Sequence, residues 1–295
     1  MDKIFRNQHN KMNTQPLVSV IIITYNGAMY IKEAIESVLR QTYKNIEVII
    51  VNDGSTDETL EIISGFRKTD SRITILTNKI NLGCAKTLNK GAIMAHGKYI
   101  ARLDDDDSWF DRRKLERQIC FLEKNCNYVL VGDGVIKIDK KGEEIDRYLF
   151  PEKDKDIRKS ILLGNLFVHS TVVFRRNIFE KVGGYDEYFD FFADWDLWLK
   201  LGKLGKFYNF QKHSTYYLDK EYDSNYSMRD YNIRRELRLN VALRKKYKNN
   251  YPCYRKAVLL CWVSCFYSFL PFRRKLYLVL FKLKTLMIGF PAYKK

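Results

Sequence analysis

Two rhythms of apolar positions alternate through the first hundred residues. Val18 to Thr24 is an apolar run rich in β-branched residues, which suits a central parallel strand covered by helices on both faces. Between Met29 and Gln41, Ile31, Ala34, Ile35, Val38 and Leu39 recur at helical spacing, and Ile46 to Val51 forms a second run that completes a βαβ unit. The alternation repeats with a helix after Asp57 (Leu60, Ile62, Ile63, Phe66), a strand Ile73 to Leu76, a helix Cys84 to Ala95 and a strand Tyr99 to Leu103. Four strands with three intervening helices predict an α/β protein on an open, Rossmann-like, mostly parallel sheet flanked by helices. Beyond Trp109 the pattern loosens. It predicts a helix near Leu115 to Lys124, a strand Tyr128 to Val131, a hairpin around Lys140 to Gly142, a helix Ile157 to Leu163 and a strand Thr171 to Phe174. A helix Asp194 to Leu201 follows, with Leu197, Trp198 and Leu201 on one face.

Length and charge refine this picture. A chain of 295 residues, 46% apolar, supports one principal domain and a smaller C-terminal appendage. Of the net charge of +17, the segment Leu237 to Lys295 carries 14 Lys or Arg and no Asp or Glu. The basicity therefore belongs to the tail, and no nucleic-acid partner is expected, because such binders usually spread positive charge over a folded face. From Phe272 to Phe290, helical spacing puts Phe272, Leu276, Val279, Leu280, Leu283, Leu286, Met287 and Phe290 on one apolar arc, with Arg273, Arg274, Lys275, Lys282 and Lys284 elsewhere. That pattern predicts an amphipathic helix on an anionic membrane surface; packing of the same arc on the principal domain is the competing outcome. The apolar stretch Ala257 to Leu270 has 14 residues, short of the roughly 20 a spanning helix needs. Met1 to Gln15 is polar and lacks the apolar core of a secretory signal, and the six cysteines show neither CxxC pairs nor the density of a disulfide scaffold. A cytoplasmic protein with reduced thiols, peripheral on the inner face of the cell membrane, is expected.

The chemistry gathers at strand exits, where open parallel sheets place their ligand sites. The first strand leaves through Thr24-Tyr25-Asn26-Gly27, the second through Asn52-Asp53-Gly54-Ser55-Thr56-Asp57, and the fourth through Asp104-Asp105-Asp106-Asp107. Asn, Asp and Gly are ordinary turn residues, but four adjacent carboxylates at the end of a buried strand repel one another unless a cation compensates them. Oxygen ligands favour Mg²⁺ or Mn²⁺, which commonly complete their shell with phosphate oxygens, so a diphosphate substrate is expected. No GxxxxGK[ST] and no GxGxxG after the first strand occur, against Walker-type phosphoryl transfer and dinucleotide redox chemistry. Gly83, after Asn81-Leu82, opens the third helix. Its amides and Lys86 one turn inside either face phosphate or serve a helix start capped by Asn81.

Taken together, these strings resemble family 2 glycosyltransferases of the GT-A fold. The resemblance runs from Val18 to about Tyr217 through VSVIIITYNG, VNDGSTD, NLGCAKTLNKG, YIARLDDDD, FRRNIFEKVGGYDE and ADWDLWLKLGKLG. It implies an inverting enzyme that uses a nucleotide-diphosphate sugar, with UDP preferred. Thr24, Tyr25 and Asn26 would line the nucleotide pocket, Asp53 would accept a hydrogen bond from the base, and Glu33 would support them. The aspartate run overlays the family's DxD motif with Asp104 and Asp106 as its acids, Asp106 as the metal ligand first in line and Asp105 toward the ribose. The acidic pair of the acceptor half reads Ala193-Asp194; its first acid is missing, and Asp194 matches the catalytic base. His169 matches an acceptor-side position. The implied organisation is a polar extension 1–16, a GT-A domain 17–220 with a nucleotide-sugar half 17–107 and an acceptor half 108–220, and a helical basic region 221–295. The acceptor would be a glycan or lipid-linked glycan in cell-surface polysaccharide or glycolipid synthesis. Two other readings stand beside it: a catalytically silent nucleotide-sugar-binding protein, suggested by Ala193, and a nucleic-acid binder acting through the tail.

Overall fold

The computed structural model describes residues 15–219 and 233–268. Four strands, β1 (Val18–Thr24), β2 (Ile46–Asn52), β3 (Ile73–Thr77) and β4 (Tyr99–Asp104), run parallel in the order β3-β2-β1-β4. Between them lie α1 (Ile31–Leu39), α2 (Thr59–Thr69) and α3 (Cys84–Ile93), as the periodicity predicts. Successive side chains of a strand point to opposite faces, so each strand feeds two cores. Val18, Val20 and Ile22 pack with Ile31, Ala34, Ile35 and Val38 of α1. Ile21, Ile49 and Val51 pack on the other face with Ala85, Leu88 and Ala92 of α3.

The second half mixes strand directions. After β5 (Ser108–Trp109) and α4 (Lys114–Lys124), the order continues through β8 (Val173–Arg175), β6 (Tyr128–Ile138), β9 (Lys206–Leu218) and β5, with β7 (Glu144–Tyr148) paired to β6. β8 runs antiparallel to both β4 and β6, whereas β9 runs parallel to β6. The hairpin expected near Lys140 to Gly142 joins β6 to β7, with Gly142 at φ +82°. Several elements differ from the pattern, the short β5 among them. β6 continues seven residues past Val131 to Ile138. The expected strand Thr171 to Phe174 begins instead as a 3₁₀ turn, His169–Thr171. β9 has 13 residues and was not expected at all, because Asn209, Ser214 and Thr215 are buried polar residues that break its apolar run.

α5 (Asp154–Ser160), α6 (Arg176–Lys181), a 3₁₀ turn Glu187–Phe192 and α7 (Ala193–Leu201) complete the region up to β9. Beyond it, α8 (Ile233–Lys246) and α9 (Tyr254–Ser268) pack against α7: Leu239, Leu243, Tyr247, Tyr251, Ala257 and Leu260 share a core with Trp195 and Leu199. The Tyr251 hydroxyl donates to the Leu199 carbonyl at 2.9 Å. Among the described residues no helix is long and apolar enough to cross a membrane. The amphipathic segment Phe272 to Phe290 and most of the N-terminal extension lie outside the described residues.

Candidate functional site

The exits of β1 and β2 are knitted into one rim. Asn26 adopts φ +52°, a conformation asparagine tolerates better than most residues. Its amide donates to Ser55 Oγ at 2.9 Å and its side-chain carbonyl accepts from the Thr56 amide at 2.8 Å. Asp53 is almost fully buried. One carboxylate oxygen accepts from Asn78 Nδ2 at 2.7 Å and the Leu82 amide at 2.9 Å, and the other from the Gly83 amide at 3.1 Å. The Ala85 amide donates to Asp190 Oδ1 at 2.7 Å. Two amides at the α3 start thus already face protein carboxylates, and the negative charge that a helix N-terminus favours comes from Asp190 and Asp53.

The four aspartates have different surroundings. Asp107 is buried: it accepts from the Ser170 hydroxyl and from the Leu218 amide at 3.0 Å, which ties the end of β4 to the end of β9. Burial, with Asp106 and Asp104 beside it, pushes its carboxyl well above the ordinary carboxylate range. Asp105 leans toward β1, where Thr24 Oγ1 donates to it at 2.6 Å over the backbone of Gly27. Asp104 and Asp106 line the cleft. Both offer only oxygen donors, which suits Mg²⁺ or Mn²⁺. Among the described residues no three His, Cys, Asp or Glu side chains group in a way that could hold a metal ion. Such an ion would therefore take much of its shell from a bound phosphate and water.

Behind Asp104 stands a fully buried guanidinium. Arg102 donates through its Nη2 to Asp104, through Nη1 to the Ile21 and Leu103 carbonyls, and through Nε to His169 Nε2 at 3.2 Å. The Tyr185 hydroxyl also contacts His169 Nε2, at 2.9 Å. Because Nε2 accepts from Arg102, the ring proton sits on Nδ1, 3.9 Å from Asp104 Oδ1. Burial, with Arg102 beside it, keeps His169 neutral well below the usual imidazole range. Asp194 opens α7, partly exposed; Asn165 Nδ2 donates to one of its oxygens at 2.6 Å and the Trp195 amide to the other at 2.6 Å. Burial pushes its carboxyl up to about 6 despite those donors. Cys84 lies within electrostatic reach of Arg102, Asp104, Asp190 and Asp194, and burial pushes its thiol up to about 12.

A cleft of about 410 Å³ gathers Thr24, Tyr25, Asp53, Asn81, Gly83, Asp104, Asp105 and Asp106 from among the residues singled out in sequence. Ile23, Cys84, Tyr217 and Leu218 join them without having been expected. Glu33 stands apart, exposed on α1 and paired with Arg40. Lys86 is exposed on α3, and Asn26 braces the loop beside the cleft. Sequence patterning also passed over Arg102, Asn165 and Asp190. Only Arg102 left a signal, a lone cation inside the apolar strand YIARLD.

The fold and site define an α/β protein of the GT-A class. The chain matches S. aureus TarS in complex with UDP, with a TM-score of 0.60 over 82% of this chain and 69% of that one at 20% identity. A mannosyltransferase from Pyrobaculum calidifontis, solved with GDP-Man and Mn²⁺, matches with a TM-score of 0.60 at 19% identity over 86% of this chain and 70% of that one. At such identity these similarities carry the fold alone. The chain belongs to glycosyl transferase family 2, whose family model matches residues 19–183. An uncharacterized glycosyltransferase of Haemophilus influenzae is 35% identical over 214 residues, 68% of this chain. The matched region spans 64% of that relative's length.

Proposed function

We propose that this protein is an inverting glycosyltransferase that moves a sugar from a nucleotide-diphosphate donor, a UDP-sugar first, onto an acceptor hydroxyl. The observation that carries the reading is the meeting of three strand exits, with Thr24, Asp53 and Asp104 to Asp106, in one cleft beside a separately held carboxylate, Asp194. Family membership supports the activity, and the UDP and GDP-Man held by the two similar structures support the donor class.

In this reading Thr24, Tyr25 and the Asp53 rim receive the nucleoside, and Asp105, oriented by Thr24, faces the ribose. Asp104 and Asp106 would hold a Mg²⁺ or Mn²⁺ ion, which offsets negative charge developing on the leaving diphosphate. Asp194 takes the proton of the acceptor hydroxyl as that oxygen attacks the anomeric carbon opposite the leaving group. Its raised carboxyl suits it, since a base near the working pH is both ionised and basic. His169, fixed by Arg102 and Tyr185, stands on the acceptor side next to Asp104. Residues 17–107 form the donor half, 108–220 the acceptor half, and 221–295 a basic region that meets an anionic membrane surface on the cytoplasmic side. A glycan or lipid-linked glycan acceptor, in cell-surface polysaccharide or glycolipid synthesis, fits that placement.

The test is donor binding and hydrolysis with UDP-, GDP- and TDP-sugars, with and without Mn²⁺, on wild type, Asp106→Ala and Asp194→Ala. Metal-dependent binding is expected to vanish in Asp106→Ala, and turnover alone in Asp194→Ala. Absence of binding to every nucleotide sugar under every metal condition would refute the reading.

A further inference from the structure

The acidic stretch Asp186 to Asp196 bends across the site, and each of its four aspartates has a different task. Asp186 caps the 3₁₀ turn by accepting from the Tyr188 amide at 3.1 Å. Asp190 caps α3 of the donor half. Asp194, which is not among the cleft-lining residues, is held by Asn165 and the Trp195 amide, and Asp196 is fully buried on α7. The stretch is jointed: Phe189 departs from helical geometry at φ −98° and ψ 31°, and the backbone resumes as α7 only at Ala193. Without a brace, the angle at that joint would set how far Asp194 reaches.

A brace comes from α8. Lys246 Nζ lies 2.8 Å from Asp186 Oδ2 and 2.8 Å from Asp196 Oδ1, one on each side of the joint, and 4.8 Å from the centre of the Phe189 ring between them. The Tyr247 hydroxyl adds a bond to Asp196 Oδ1 at 2.8 Å, and Lys200 closes on Asp196 Oδ2 at 2.9 Å. α8 is itself immobilised, with Leu243 and Tyr247 in the core and the Arg244 guanidinium 4.6 Å above the Trp195 ring. We propose that Lys246 is a positioning residue for Asp194: it spans the joint in the Asp186–Asp196 stretch and fixes the approach of that carboxylate to the acceptor oxygen. This inference rests on the role given to Asp194 above. Lys246 touches none of the residues assigned to the donor, so its loss should reach kcat and leave donor affinity in place. A displacement of about 1 Å at a reacting group can cost on the order of a hundredfold in rate.

The experiment uses the full chain with Lys246→Met and Lys246→Arg, and as probe the nucleotide sugar that the wild type hydrolyses fastest. Lys246→Met should lower kcat for hydrolysis at least about tenfold with donor KM within about twofold, and Lys246→Arg, which can still span both carboxylates, should recover most of it. Hydrogen exchange over residues 187–201 should quicken in Lys246→Met while α1 keeps its protection. A folded Lys246→Met with wild-type kcat, or an equal rise in exchange throughout the chain, overturns the proposal. Should Lys246→Met not fold, Asp186→Asn removes one arm of the brace at a half-exposed position and should give the same kcat-selective loss in smaller measure. If the wild type hydrolyses no nucleotide sugar, the functional reading fails on its own, and the exchange pattern alone decides whether Lys246 braces the stretch.

Discussion

Asp194→Asn separates catalysis from stability, and the structure sets the size of both effects. Burial raises the Asp194 carboxyl from an ordinary 3.8 to about 6. Holding the carboxyl that far above its ordinary value means that the ionised form costs the fold on the order of 2–3 kcal/mol above pH 6. The sign follows from the raised value. The fold prefers the protonated acid, so the cost is absent below the unfolded value, grows as pH rises from about 4 to 6, and is constant above. Asparagine carries no charge and escapes the cost, but the Asn165 Nδ2 donor then meets an amide. If Asn165 flips to accept, it gives up its 3.2 Å bond from the Phe167 amide, a loss of about 1 kcal/mol. The net gain at pH 8 is about 1 to 2 kcal/mol, or about 2–3 °C in Tm for a chain of this size. At pH 4.5 the gain should shrink to nothing or reverse. Differential scanning calorimetry of wild type and variant at both pH values measures this, and donor hydrolysis on the same samples should show kcat lower by about a hundredfold or more. In the wild type, kcat should fall about tenfold per pH unit below about 6, as the base becomes protonated. A variant no more stable at pH 8 than at pH 4.5, relative to wild type, would refute the argument that Asp194 is ionised at a cost.

Two further outcomes follow from packing. A Cβ on Gly27 would stand 2.2 Å from Asp105 Oδ2 and 2.4 Å from Thr24 Oγ1, so Gly27→Ala should break that pair and weaken nucleotide-sugar binding at least about tenfold in a calorimetric titration while the fold survives; unchanged affinity would show that Asp105 does not orient the donor. A chain ending at Ser268, which keeps α9 in its core, should lose flotation with anionic vesicles that the full chain retains, and equal flotation of the two would remove the membrane role from residues 269–295.

The sequence by itself determined the parallel half of the sheet and the place of the site. Apolar runs and helical spacing are local properties, and each parallel strand hands its exit residues to the same edge, so Thr24, Asp53 and Asp104 to Asp106 were bound to meet once β1, β2 and β4 paired. Family motifs added Asp194 as a candidate by order and spacing. Other features depended on contacts between residues far apart in the chain, which no local pattern encodes. Four identical aspartates are indistinguishable in sequence; Ser170 and the Leu218 amide draw Asp107 inward, while Asp105, held by Thr24, Asp104, held by Arg102, and Asp106 line the cleft. The start of α3 reads either as an anion site or as a capped helix start until Asp190, 105 residues away, closes on it. β9 escaped notice because its buried Asn209, Ser214 and Thr215 find tertiary partners in place of an apolar pattern. The basic character of the region from α8 onward suggested an appendage that meets an anionic surface, yet Lys246 of α8 sits between two carboxylates and Leu243 is buried. Tertiary structure decided these points because a charge takes its role from what surrounds it, and a buried charge must find its partner wherever the fold supplies one.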